Sequence, residues 1–286
     1  MKIKHTNEEN RRDYWRETME AGYDFMMQIM DYPVRECLES LVSLPEVLKG
    51  TGIEVRFSRR QLTKAQLPIF RLRSGLIKNF LSMAEAMNRQ DWVLRVEEAY
   101  RTREMQNPLN RKETVLEETI RRLLWEKNGQ ELTPEFIFRR LTVLITTIPK
   151  IGTHMSGSAL DVSVLFRSGK REVERGGPYL EMSELTPMDS PFISTGARNN
   201  RRKITGLMLE HNFHAYPFEF WHYCSGDAHA KYLSGSNNPG RYGPVDLTLN
   251  GDGRVKPIKN PHKPLISLVE IKEKLNRIIR QYLQIS

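Results

Sequence analysis

Two short stretches of this chain carry side chains whose types and spacing could do hydrolytic chemistry. The first reads Gly152-Thr153-His154-Met155-Ser156-Gly157-Ser158-Ala159-Leu160-Asp161, and the second Pro217-Phe218-Glu219-Phe220-Trp221-His222-Tyr223. Two imidazoles and a carboxylate (His154, His222 and Asp161) suit Zn²⁺, which accepts nitrogen and oxygen donors and in catalytic sites keeps a fourth position open for water. Glu219 is then free to act as a base beside the metal. Seen singly, His154 reads as a turn or core histidine, and Asp161 as a cap or ion-pair partner. Their joint occurrence points to a metal. Cys224 follows His222 at a spacing that would put both side chains on one face of a strand, so it is either a further ligand or a small buried neighbour.

Elements that must position these residues are visible in the patterning. Trp92–Tyr100 reads as a strand feeding Arg101-Thr102-Arg103-Glu104-Met105-Gln106, the kind of junction where a rigid scaffold presents a catalytic side chain. Ala159–Phe166 and Phe218–Tyr223 read as two more strands, and Gly52–Phe57 could supply a short one. Tyr14, Trp15, Met19, Phe25, Met26 and Ile29 recur at helical spacing within a mainly helical stretch from Asn10 to about Leu44, broken at Pro33. Further helices are expected over Leu76–Met87, in two pieces between 111 and 148, over Arg201–Asn212 and over Leu265–Ile285. Thr133-Pro134-Glu135 marks a helix start. Gly157 permits a close turn between His154 and Asp161. Residues 167–194 and 226–253 read as loops.

The chain has 286 residues, 39% hydrophobic and 28% charged, which suits a globular protein. No stretch approaches the roughly 20 apolar residues that span a bilayer, so no membrane anchor is expected. The charged start lacks the apolar run of a secretory signal, and a cytoplasmic location is the resulting expectation. Cys37 and Cys224 are the only cysteines, too few for a disulfide scaffold. Lys and Arg number 44 against 35 Asp and Glu, a net +9 that could attract anions. Nucleic acid is not the expected partner. Arg59-Arg60, Arg121-Arg122, Arg139-Arg140 and Arg201-Arg202 are scattered pairs without any binding signature, and read as solvated faces.

Taken together, these segments resemble the zinc-dependent D-alanyl-D-alanine dipeptidase family, related to the D-alanyl-D-alanine carboxypeptidases. The resemblance rests on His154 to Asp161, Glu219-Phe220-Trp221-His222, Glu98-Ala99-Tyr100-Arg101 with Gln106 downstream, and Asn200-Arg201-Arg202. It covers about 90 to 225, leaving out 107 to 148. It implies one Zn²⁺ per chain held by His154, Asp161 and His222, with Glu219 as general acid/base and Arg101 stabilising the reacting carbonyl. Zinc would acidify the water and polarise the carbonyl, Glu219 would shuttle the proton, and Arg101 would meet the oxyanion. Glu184 is the preferred match for the residue that receives the dipeptide's amine. Tyr100 and Trp221 are candidates to line the substrate site, with packing around it as the ordinary alternative. The implied fold is α+β: a mainly antiparallel central sheet with surrounding helices. One catalytic domain over 1–286 is expected, with an N-terminal helical region over about 1–50 and a helical insertion over about 107–148.

That insertion departs from the compact members of the family, as do the imperfect amine-site pattern around Glu181 and Glu184 and the long Gly/Ser/Asn-rich tail after Tyr223. The implied substrate is D-Ala-D-Ala or a related cell-wall peptide. A D-alanyl carboxypeptidase or muropeptide endopeptidase is the second reading, and a noncatalytic zinc-stabilised binding module the third. The sequence does not specify the oligomeric state.

Overall fold

The computed structural model describes residues 7–60, 68–169, 171–248 and 252–285. The first six positions of the expected N-terminal helical region, and 249–251 within the expected loop 226–253, lie outside the described residues. The helices are α1 (Asn7–Asp31), α2 (Leu44–Leu48), α3 (Ile77–Arg89), α4 (Arg103–Leu109), α5 (Glu113–Glu126), α6 (Pro134–Leu144), α7 (Thr153–Ser156), α8 (Thr195–Glu210), α9 (Ala228–Leu233) and α10 (Leu268–Ile285). The strands are β1 (Leu41–Ser43), β2 (Val55–Phe57), β3 (Arg71–Arg73), β4 (Trp92–Glu98), β5 (Ala159–Phe166), β6 (His214–Ala215), β7 (His222–Cys224), β8 (Val245–Leu247) and β9 (Val255–Pro257).

Five strands form the central sheet in the order β2-β4-β5-β7-β6. β2 is parallel to β4 and the other pairs are antiparallel, so the sheet is mixed but mainly antiparallel, as expected. Side-chain alternation assigns its faces. Leu160, Val162 and Val164 of β5 and Tyr223 of β7 join a core filled by Phe80, Met83 and Met87 of α3 and Ile204 and Met208 of α8. Because residues i and i+2 share a face, Asp161, Ser163 and His222 turn to the opposite side. On β4 the register shifts between Val96 and Glu98. A bulge inserts one residue and re-aims the side chains beyond it, which takes Glu98 off the face of Val96 and pairs it with Asp161.

Helices cover that second side. The α1 stripe of Trp15, Met19, Phe25, Met26 and Ile29 packs on Val143, Ile148, Tyr216 and Phe218. The helices approach closely at Gly22, where a Cβ would stand 2.7 Å from Val143 Cγ1. The helix ends at Asp31, at the expected break before Pro33, where the residue before proline is biased away from helical geometry, but it does not resume before Leu44. In the inserted region, α5 and α6 share a second core with α10 through Leu116, Ile120, Leu123, Leu141, Ile271 and Leu275. Thr133 caps α6, accepting from Phe136 N at 3.2 Å, with Pro134 in the first turn.

The arginine pairs are not all solvated, contrary to the sequence expectation. Arg140 and Arg201 are buried. Arg140 Nε donates to both Glu126 oxygens at 3.0 Å, while Trp15 Nε1 donates to Glu126 Oε2 at 3.0 Å, tying α1, α5 and α6 together. Removing one partner strands a buried charge. Glu126→Ala is therefore expected to lower the free energy of unfolding by about 3 kcal/mol or more, despite the remaining Arg140–Glu20 pair at 2.9 Å. Urea denaturation would measure it; a loss within the few tenths typical of surface substitutions would reject this account.

Candidate metal centre

The site is built where β4, β5 and β7 lie side by side. Register places Glu98 opposite Asp161 and Asp161 opposite His222, so one row across three strands carries all three side chains on the helix-covered face. His154 comes from α7, a single turn leading into β5. Gly157 ends that turn at φ 68°, where any Cβ would also stand 2.3 Å from Leu41 Cδ2. Both features favour glycine there, the left-handed φ because only glycine adopts it without cost.

His154 Nε2 lies 3.2 Å, and His222 Nδ1 2.8 Å, from Asp161 Oδ1. One donor atom from each of the three residues falls within 4.8 Å of the others. This buried cluster can coordinate a divalent metal ion. Cys224 is not part of it: the thiol is buried with Ala159 and Ala230.

The outer contacts support the same reading. His154 Nδ1 is 2.6 Å from Ala99 O, a group that only accepts, so Nδ1 carries the proton and Nε2 faces Asp161. His222 Nε2 is 2.8 Å from Thr153 Oγ1, leaving Nδ1 toward the cluster. Ligating histidines are ordinarily held by such contacts through the other ring nitrogen. Tyr179 donates its hydroxyl to Asp161 Oδ2 at 2.8 Å. Burial and the Asp161 charge push the Tyr179 phenol well above its usual range, keeping it a neutral donor.

Arg101, just past β4, is buried beside this row. Its Nε donates to Glu98 Oε1 at 2.6 Å, Nη2 to Glu98 Oε2, and Nη1 to Gln106 Oε1. Gln106 is itself fixed by donating to Ile145 O at 2.6 Å and Thr146 O at 2.9 Å. Three of the five guanidinium N–H groups are thus engaged, leaving one on each of Nη1 and Nη2.

Glu219 sits on a turn rather than on the expected strand over Phe218–Tyr223. Its N–H donates to Tyr216 O at 3.3 Å, its own carbonyl accepts from His222 N at 3.2 Å, and β7 begins only at His222. Burial, together with the Asp161 and Glu98 charges, raises the Glu219 carboxyl well above the carboxylate range, and Arg101 offsets this only in part. Around His154 burial acts downward, but the Asp161 charge and hydrogen bond prevail and hold the imidazole above 6.5. Asp161 is correspondingly depressed: burial opposes ionisation, and the two histidines overcome it. His222 moves down, chiefly through burial. The donor set, two imidazole nitrogens and a carboxylate oxygen, fits a divalent cation.

His154, Asp161, His222, Glu98, Arg101, Glu219 and Trp221 all line one cavity of about 390 Å³. The structure does not bring the other two expected substrate residues there. Tyr100 is buried against Leu41 and Val245, and its hydroxyl donates to Val245 O at 2.8 Å, which is a packing role. Glu184 is held between Arg11 and Arg122, the latter at 2.5 Å; the nearby carboxylate that lines the cavity is Glu181. The sequence reading missed Thr153, Tyr179, Tyr216 and His229, which also line it. Glu98 stood in the Glu98–Arg101 motif without a role, and its acid three positions before Arg101 was the available signal. Tyr179 lies in a stretch legible only as loop.

The fold and donor set are those of a protein able to hold a catalytic metal, consistent with a metal-dependent hydrolase. The sequence matches no protein-family model, and no curated protein matches it significantly.

Proton linkage supplies a test. A metal ligand must shed its proton, and His154 in the metal-free protein titrates above 6.5. Affinity for a divalent ion should fall as the pH drops through that folded-state pKa, about tenfold per pH unit for each proton that the ion displaces. Zinc titrations across pH, in competition with a chelator, would measure this. A break at or below the ordinary imidazole value would contradict the raised His154 pKa.

Proposed function

We propose that the protein is a zinc metallopeptidase acting on D-alanyl-D-alanine or a closely related cell-wall peptide, with one Zn²⁺ per chain and the whole chain as one catalytic unit. The observation that carries this reading is a single cavity holding the His154–Asp161–His222 donor set, a separate carboxylate and a buried guanidinium. The choice of peptide rests on the family resemblance of the same residues.

A bound zinc ion would lower the pKa of water and polarise the scissile carbonyl. Glu219 accepts the proton of the attacking water on a carboxylate oxygen and returns it to the departing amine nitrogen. Burial and the Asp161 and Glu98 charges raise its pKa, the direction that suits a group which must also give the proton back. Arg101 directs its two remaining N–H groups at the oxygen that gains negative charge, and Glu98 and Gln106 keep the fork from turning away. Thr153 and Ala99 hold the two imidazoles in the tautomers described above.

Longer substrates form the second reading, raised by the inserted region at the cavity wall. Leu109, Val115, Val143, Leu144 and Ile145 of the inserted region line the same space as the metal ligands, so the insertion helps shape the substrate pocket. Turnover of D-Ala-D-Ala, its amine-blocked form and a pentapeptide stem would separate a dipeptidase from a carboxypeptidase or endopeptidase. Preference for the blocked or longer compounds would reject the strict dipeptidase. Zinc retained without turnover of any of them would leave a binding module.

Glu219→Gln keeps the size of the side chain and removes its basicity. It should lower kcat by about 10²–10⁴-fold while zinc content, read by elemental analysis, stays at the wild-type level. Arg101→Ala should lower kcat by about 10²–10³-fold with zinc retained, whereas His222→Ala should lower zinc occupancy itself. Near-normal turnover by zinc-loaded Glu219→Gln would remove it as the base.

A further inference from the structure

Asp161 offers two carboxylate oxygens with different surroundings. Oδ1 faces His154 Nε2 and His222 Nδ1 at 3.2 and 2.8 Å, while Oδ2 accepts the Tyr179 hydroxyl at 2.8 Å. Tyr179 is buried, with its ring edge-on to Trp221 at 5.6 Å between centroids. The next residue, Leu180, has φ 66°, a left-handed conformation that a branched side chain disfavours and that the surroundings must therefore hold.

Those surroundings are unusually well anchored. Arg201 donates to the carbonyls of Arg175, Leu185 and Pro187, each at 2.7 Å, from beneath the loop. Within the loop, Thr186 Oγ1 donates to Glu181 O at 2.7 Å and Ser190 Oγ to Glu184 O at 2.6 Å. Glu184 pairs outward with Arg11 of α1 and with Arg122 of α5, whose guanidinium lies over the Trp125 ring at 3.7 Å.

We propose that Tyr179 is a positioning residue for the metal centre: it occupies Asp161 Oδ2 so that Oδ1 alone turns to the ligand cluster. The Arg11–Glu184–Arg122 clamp, through the loop, lets α1 and the insertion set metal affinity. Contacts that orient a metal-binding side chain typically contribute 10- to 100-fold to affinity, and a second oxygen released toward the ion would change its coordination. The inference rests on the metal-binding reading of the cluster.

The test is zinc affinity of the full chain, measured by chelator competition after metal stripping, with the visible spectrum of the Co²⁺-loaded protein as a second readout. Tyr179→Phe keeps the ring on Trp221 and removes the hydroxyl. It should raise the zinc dissociation constant about 10- to 100-fold and alter the Co²⁺ spectrum. Glu184→Gln leaves every residue of the cluster in place and should shift the affinity in the same direction, which keeps the proposal testable if Tyr179→Phe does not fold. Wild-type affinity and spectrum in Tyr179→Phe, even with reduced kcat, would overturn the positioning role. Wild-type affinity in Glu184→Gln would overturn the clamp. A wild-type protein that takes up no zinc would instead reject the metal reading itself.

Discussion

Asp161 is a buried carboxylate in the middle of a sheet, and much of the surrounding structure answers to that charge. Burying an ion alone is prohibitive, so it must be paired and hydrogen-bonded. Two imidazoles face one oxygen and a phenol the other. Glu98 and Glu219 add negative charge to the same space, while Arg101 is the one guanidinium among the groups that act on them there. Protons on His154 and Glu219, both of which titrate high, can balance that excess, as can a divalent cation. A bound cation would release those protons, converting the same carboxyl from an acid into a base.

Positioning follows from ordinary strand geometry with one irregularity. Direct cross-strand pairing aligns Asp161 with His222, and the β4 bulge brings Glu98 into the row and lets the chain leave toward Arg101. The opposite face, filled by α3 and α8, makes that row rigid. Two of the buried arginines act on backbone. Arg201 binds loop carbonyls and Arg73 Nε binds Ser156 O at 2.6 Å, so each braces a segment next to the ligands.

What could be read from sequence divides along local and long-range lines. The β5 strand, the helices α5 and α6 and the cap at Thr133 were legible because periodicity and capping are local signals. The cluster of His154, Asp161 and His222 was legible because each of its two segments is a short local motif, and their residue types and the family resemblance joined them across 61 residues. Tyr179 was not: its partner Asp161 lies across a loop with no period, and nothing in the composition of 167–194 singles it out. The sequence preference fell on Glu184, whereas Glu181 is the acid that lines the cavity, for the same reason. Which acid meets the cavity depends on Arg11 and Arg122, residues far away in sequence. The paired arginines misled because a charged dipeptide looks solvated until its buried partner, such as Glu126 for Arg140, is known.

The division of labour inside the cavity bears on how substrate choice and chemistry can vary separately. Donor atoms and Arg101 come from the sheet and its junctions, where a shift of the backbone would break several pairings at once. The apolar wall comes from α4, α5 and the end of α6; α5 and α6 pack against α1 and α10, while α4 is tied to the site through the Gln106–Arg101 hydrogen bond. Changes at Leu109, Val115 or Val143 would therefore reshape the space available to a substrate while leaving the cluster in register. The exception is the loop bearing Tyr179, which touches both: it meets Asp161 at one point and Arg122 of α5 at another. Through that loop, the inserted helices bear on the charge at the centre of the sheet as well as on the shape of the pocket above it.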